Sequence, residues 1–149
     1  MVVTFIGHGE LNNIDEFRCK LIEAIESCIN NGADIFYCGG YGDFDNACAA
    51  AIGKLKFKYP NIKAIFVTPY IAEGYQTRLK WIIDSKLYDE IIYPELEEVP
   101  YKFAISKRNE WMVDNADLVI AFVNHHFGGA YSTFQYAERK RKTIINIAD

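Results

Sequence analysis

The sequence lacks any apolar run approaching the ~20 residues that cross a bilayer, so no membrane-spanning helix is predicted. Its first residues, Met1-Val2-Val3-Thr4-Phe5-Ile6-Gly7-His8-Gly9, carry no basic leader and no small-residue cleavage pattern. They read as a strand and not a signal peptide, and the expected location is the cytoplasm. The four cysteines, Cys19, Cys28, Cys38 and Cys48, form no CxxC pair and have no histidine at metal spacing. That excludes a structural zinc site and leaves them as reduced, buried small hydrophobes. Three histidines without ligand-spaced carboxylates give no catalytic metal site, and no cofactor is expected. Positive charge is also short: 16 Lys and Arg against 20 Asp and Glu leave a net charge of −4. A generic nucleic-acid binder needs a basic face, so a nucleic-acid partner is not expected. The one basic run, Arg139-Lys140-Arg141-Lys142, reads as a cationic last turn offsetting a helix dipole.

What is present is core material. Half of the 149 residues are hydrophobic and 15% aromatic, richer than a disordered chain and enough for one domain over residues 1–149. Short apolar runs alternate with amphipathic stretches. Strands are predicted at 2–6, 35–38, 64–67, 91–93, 118–123 and 143–147, and helices at 15–31, 45–56, 77–86, 103–115 and 132–140. Gly32 is placed to end the first helix and Asp45 to cap the second. Strands that are apolar on every residue are buried on both faces. The fold expected is therefore α/β: a Rossmann-like three-layer sandwich with a mostly parallel central sheet.

In such sheets ligands sit beyond the carboxyl ends of the strands. The residues that follow the strands are Gly7-His8-Gly9, Gly39-Gly40-Tyr41-Gly42-Asp43, Thr68-Pro69 and Asn124-His125-His126-Phe127-Gly128-Gly129. Glycine lets a backbone approach a phosphate, and the helix that follows offers unpaired N–H groups at a partly positive end. Ser132 and Thr133 add hydroxyls at the second such helix. Two glycine turns, each opening a helix, point to a nucleotide-like small molecule. Asp43 reads either as a cap or as a group for ribose hydroxyls, and Asp45 as a cap. Tyr41 and Tyr131 sit inside the turns, able to stack on a base or to pack over the sheet. His8 is expected in the crevice, and His125 and His126 either at an anion or exposed. Trp81 and Trp111 are expected in core or interface packing.

Arg108-Asn109-Glu110-Trp111-Met112, Ala116-Asp117-Leu118-Val119-Ile120-Ala121 and Gly128-Gly129 through Thr133 follow one another in an order that resembles the SLOG superfamily. That group joins DprA-type DNA-processing proteins and the LOG cytokinin-activating phosphoribohydrolases. LOG enzymes carry R-x-x-x-M, an A-D strand, then P-G-G-x-G-T-x-E-E. The Gly7-His8 pair and the Gly39–Asp43 turn are more similar to small bacterial YpsA-like, DUF1273-type proteins. The resemblance covers nearly the whole chain. It implies that Arg108 contacts the nucleotide, that Gly128, Gly129 and Thr133 cradle its phosphate, and that a homodimer is possible.

The departures concern chemistry. Phe127 stands where LOG enzymes have proline, and Ala130-Tyr131-Ser132 makes the turn one residue longer. Gln135 and Tyr136 occupy the place of the glutamate pair, and Glu138 lies two residues beyond. An oxocarbenium-like state needs an adjacent carboxylate, which glutamine and tyrosine do not supply. The leading expectation is a sensor or binding module, built on Gly7, His8, Gly39, Gly40, Gly42, Asp43, Arg108, Gly128, Gly129, Ser132 and Thr133. The alternative is a nucleoside monophosphate phosphoribohydrolase. A third is a vestigial pocket serving protein interaction.

Overall fold

A computed structural model describes residues 1–11 and 14–148. Six strands make one sheet: β1 (Val2–Gly7), β2 (Ile35–Cys38), β3 (Lys63–Val67), β4 (Glu90–Ile92), β5 (Leu118–Phe122) and β6 (Thr143–Asn146). Their spatial order is β4-β3-β2-β1-β5-β6, and every neighbouring pair is parallel. Between them run α1 (Ile14–Asn30), α2 (Gly42–Leu55), α3 (Gln76–Ser85), α4 (Ala104–Asp114) and α5 (Gly128–Arg139), with single 3₁₀ turns at Glu73–Tyr75 and Tyr101–Phe103.

The pleat sorts the core. Val3, Phe5, Phe36, Cys38, Ala64 and Ile120 pack with Leu21 and Ile25 of α1 and Cys48 and Ile52 of α2. Phe66 follows Ala64 on that face and meets Leu79 and Ile82 of α3. Ile6, Val119 and Ala121 point the other way, onto Val113 of α4 and Ala137 of α5. Three helices on one face and two on the other follow from the order. The chain winds outward from β1 to β4, then crosses back to place β5 on the far side of β1, and right-handed crossovers put the two sets on opposite faces. The central strands are apolar on both faces because both are covered. Thr4, fully buried in β1, is satisfied by donating to the Tyr37 carbonyl at 3.1 Å.

Helix α1 ends as expected at Gly32, whose φ is +105°. The Gly32 N–H donates to Ile29 O and the Ala33 N–H to Cys28 O, a Schellman closure. Two helix starts differ from expectation. Helix α2 begins at Gly42 with Tyr41 as an N-cap that makes no side-chain bond, so Asp45 is not a cap but lies one turn inside. Helix α5 begins at Gly128, so both glycines belong to its first turn and not to a preceding loop. Cys28, Cys38 and Cys48 are buried, but Cys19 is exposed, against expectation. Trp81 is 54% exposed and therefore not a core residue, whereas Trp111 packs on Tyr37. No helix among the described residues is long and apolar enough to cross a membrane.

Candidate functional site

The reversal of strand order between β1 and β5 opens a crevice at their carboxyl ends. A cleft of about 580 Å³ lies there, within the range of small-molecule sites. Its floor is the end of β1 with the Gly7-His8-Gly9 turn. One wall is the α4 face carrying Ile105, Arg108, Asn109 and Met112. Another is the start of α5, with Gly128, Gly129, Ala130 and Thr133. Tyr41 and Asp45 close the third side.

Arg108 organises this end of the sheet. It is only 2% exposed and is the largest fully buried side chain among those described. Its Nη1 donates to Gly39 O at 2.9 Å and to Val67 O at 2.7 Å, tying together the ends of β2 and β3. Its Nε donates to Asn109 Oδ1 at 2.8 Å. Nη2 has no hydrogen-bond partner among the described residues, and Arg108 lines the cleft. The guanidinium also lies over the Tyr41 ring, 5.7 Å from its centroid, and the Arg78 guanidinium lies over the same ring at 5.1 Å. Tyr41 is joined through its hydroxyl to Tyr75, and burial pushes its phenol well above the usual range.

The two glycine turns differ in kind. In the first, glycine is demanded by the protein itself. A Cβ on Gly40 (φ +73°) would overlap the Phe66 ring, one on Gly42 (φ +86°) would lie 2.6 Å from the Gly9 α-carbon, and one on Gly7 would overlap Phe44. In the second, Gly128 (φ +89°) and Gly129 have nothing within 4 Å of a Cβ, and both border the cleft. Their helix has no side-chain cap, so no capping side chain satisfies its first N–H groups at the partly positive end.

Of the residues expected at a site, Gly7, His8, Arg108, Gly128, Gly129 and Thr133 line the cleft; Gly39, Gly40, Gly42, Asp43 and Ser132 do not. Gly39 stands directly behind it, its carbonyl held by Arg108. The Asp43 carboxylate accepts from the Leu11 N–H at 2.9 Å and its N–H donates to Gly9 O at 2.8 Å, which pins the β1–α1 loop to α2. Ser132 is exposed on the outer face of α5. The Thr133 hydroxyl donates back to Gly129 O at 3.0 Å.

Asp45 is the cleft residue that sequence reasoning misassigned. Its Oδ2 accepts from the Tyr41 N–H at 3.1 Å. Burial raises its pKa to about 6, against the opposing pull of Arg108 and that N–H. The available signal was its position four after Tyr41, which puts both on one helical face once the helix starts at Gly42. Glu10 is the other carboxylate among the described residues at the cleft. Gln135 donates to the Tyr131 hydroxyl, Tyr136 donates to the Asp114 carboxylate, and Glu138 is exposed; none of the three reaches the cleft.

His8 is buried, and its Nε2 accepts from the Asn124 N–H at 3.1 Å, which places the proton of the neutral ring on Nδ1. Burial, then His125, lowers its pKa. His125 stacks on it with centroids 3.5 Å apart, and Phe127, 70% exposed, lies 4.1 Å from His125. His126 packs near Tyr131 instead. The basic run lies at the other end of α5, ~17 Å away at 1.5 Å per residue. There Lys142 donates to Ala116 O, and Lys140 lies 3.9 Å from Asp114.

No family model matches the chain. A curated relative, the uncharacterised SPbeta prophage-derived protein YoqJ of Bacillus subtilis (strain 168), is 29% identical across 83% of this chain and 81% of its own. Among solved structures, TM1055, a LOG-family fold, matches 96% of this chain and 71% of its own at TM-score 0.61 and 14% identity. DNA processing protein A from Helicobacter pylori, studied for its binding of single-stranded DNA, has TM-score 0.67 and 20% identity, over 97% of this chain and 63% of that one. Its counterpart from Streptococcus pneumoniae has TM-score 0.64 and 15% identity, over 95% and 48%. The DNA-binding neighbour removes support from the expectation that acidic net charge sets nucleic acid aside. The chain thus has a parallel α/β fold similar to those of the LOG-family protein and of DprA.

Proposed function

We propose that this protein is a SLOG-type module that binds a nucleotide or nucleotide-derived small molecule in the β1–β5 cleft and acts as a sensor. The observation that carries this reading is the start of α5: an uncapped helix end with two glycines whose Cα positions face empty cleft. An anionic phosphate is the group such an end accommodates. Arg108 Nη2 adds a charged donor on the α4 side of the cleft, beside Asp45, and His8 Nδ1–H adds a neutral donor. Tyr41, over whose ring the Arg78 and Arg108 guanidinium groups lie, closes the side of the cleft next to Asp45. Gly39, Gly40, Gly42 and Asp43 contribute by holding Arg108 and the β1–α1 loop in place. The likeness to LOG-family and DprA folds supports nucleotide-related chemistry at this end of the sheet.

The hydrolytic alternative lacks its usual carboxylate, because no acidic residue of α5 borders the cleft. A homodimer, implied by the same resemblance, is checked by sedimentation. Binding is tested by thermal shift with nucleoside mono-, di- and triphosphates, NAD and a short oligothymidylate. A ligand at ~100 times its Kd stabilises by ~2.7 kcal/mol. No shift with any of them, in a folded sample, removes the proposal. Release of free base from a nucleoside monophosphate replaces the sensor by the hydrolase.

A further inference from the structure

We infer that Asp45 reads the sugar of the ligand: its outward carboxylate oxygen accepts a hydrogen bond from the ribose 2′-hydroxyl, so the cleft selects ribonucleotides over 2′-deoxyribonucleotides. The inference rests on the nucleotide-binding reading above and adds a specificity residue and an orientation to it.

Asp45 is held from behind. Its Oδ2 takes the Tyr41 N–H, and it sits beside the Arg108 guanidinium: a Cβ on Gly39 would lie 3.1 Å from Asp45 Oδ2 and 3.3 Å from Arg108 Nη2. The two groups make no ion pair within 4.0 Å. Oδ1 has no hydrogen-bond partner among the described residues, and Asp45 borders the cleft. An ionised carboxylate is an acceptor only, so a group that takes the place of solvent at Oδ1 must bring a donor. Asp43, two residues earlier, does not line the cleft; its Oδ2 accepts from the Leu11 N–H.

Oδ1 is open to the cleft and not a buried orphan, so a donor carried by the ligand can reach it. A phosphate is repelled there, since two anions would share a poorly solvated site. The phosphate is accordingly placed on the Gly128-Gly129 end of α5, where the partial charge is positive. A nucleotide laid between that end and Asp45 has its sugar hydroxyls next along the molecule from the phosphate, over the end of β1. The exocyclic amine of a base is the rival donor. It would make affinity depend on the base and not on the 2′-hydroxyl.

The test uses the four common ribonucleoside 5′-monophosphates and their 2′-deoxy counterparts, titrated calorimetrically into the whole protein and into Asp45→Asn and Asp45→Ala. Asparagine preserves an acceptor for the Tyr41 N–H, so that variant retains the fold if alanine does not. A hydrogen bond from hydroxyl to carboxylate corresponds to about tenfold or more in Kd. Wild type is expected to bind the ribo form at least about tenfold more tightly than the deoxy form for whichever base binds best. Asp45→Asn is expected to reduce that ratio to within about threefold, by weakening the ribo form and not the deoxy form. Ribo and deoxy forms of equal affinity in wild type overturn the inference while leaving nucleotide binding intact. So does a ratio that survives Asp45→Asn, or one that changes only between bases. Absence of binding by all eight overturns the broader proposal, and this one with it.

Discussion

If the two glycine turns owe their glycines to different causes, alanine separates them by the sign of its effect on stability. At Gly40 a methyl group meets the Phe66 ring, and the backbone sits at φ +73°. Left-handed backbone costs a residue with a Cβ about 1–2 kcal/mol, and overfilling a packed site about 1–3 kcal/mol more. Gly40→Ala should therefore lose about 2–5 kcal/mol. At Gly129 the φ is ordinary, nothing lies within 4 Å of a Cβ, and the residue is in the first turn of α5. There alanine restricts the unfolded chain and costs the fold nothing, so Gly129→Ala should gain about 0.4–1 kcal/mol. Urea unfolding followed by circular dichroism reads both differences through the midpoint at constant m. A Gly40→Ala protein within about 0.5 kcal/mol of wild type would refute the assignment of the first turn to internal packing. A Gly129→Ala protein losing more than about 1 kcal/mol would refute the open geometry of the second.

Three further perturbations follow from the same contacts. Arg108→Met keeps most of the volume but strips the Gly39 and Val67 carbonyls of a charged donor, and should cost about 3–5 kcal/mol in urea unfolding. A loss under about 1 kcal/mol would show that those bonds do not hold β2 and β3 together. Arg141 sits at φ +57° just past α5, with the Lys142 N–H bonded to Ala137 O, so Arg141→Gly should stabilise by about 0.5–1 kcal/mol, and a thermal midpoint that falls contradicts this. Asp45 has its folded pKa raised from 3.8 to about 6. Its stabilising contribution is therefore full below pH 3.8 and lost as pH rises through about 6, a difference of about 2–3 kcal/mol. Asp45→Asn should remove that slope from stability measured between these limits and be more stable than wild type at neutral pH. An unchanged slope contradicts the raised pKa.

How far the sequence alone carries is clearest from single elements. The strands β1 and β5 were legible because they are apolar on both faces, and the parallel sheet follows from that. The start of α2 is not legible because aspartate is a frequent cap, whereas here Gly42 at φ +86° opens the helix behind an uncapped Tyr41. The start of α5 is not legible because a glycine pair normally signals a turn. Arg108 stood out only through resemblance, since its partners lie 69 and 41 residues away in the chain. The same distance hid the stack of His8 on His125 and the use of Asp43 to pin the loop after β1. Asp45 needed both the corrected helix start and the position of Arg108 before it became a cleft residue.

If a phosphate rests on the first turn of α5, a methyl group placed there must displace it. The nucleotide giving the largest thermal shift is titrated into wild type and into Gly129→Ala, the variant expected to be no less stable. A methyl group at that Cα occupies the space assigned to the phosphate, so affinity should fall by about tenfold or more while the fold is unharmed. Equal affinities in the two proteins would move the ligand away from the Gly128-Gly129 end of the cleft and refute phosphate binding there.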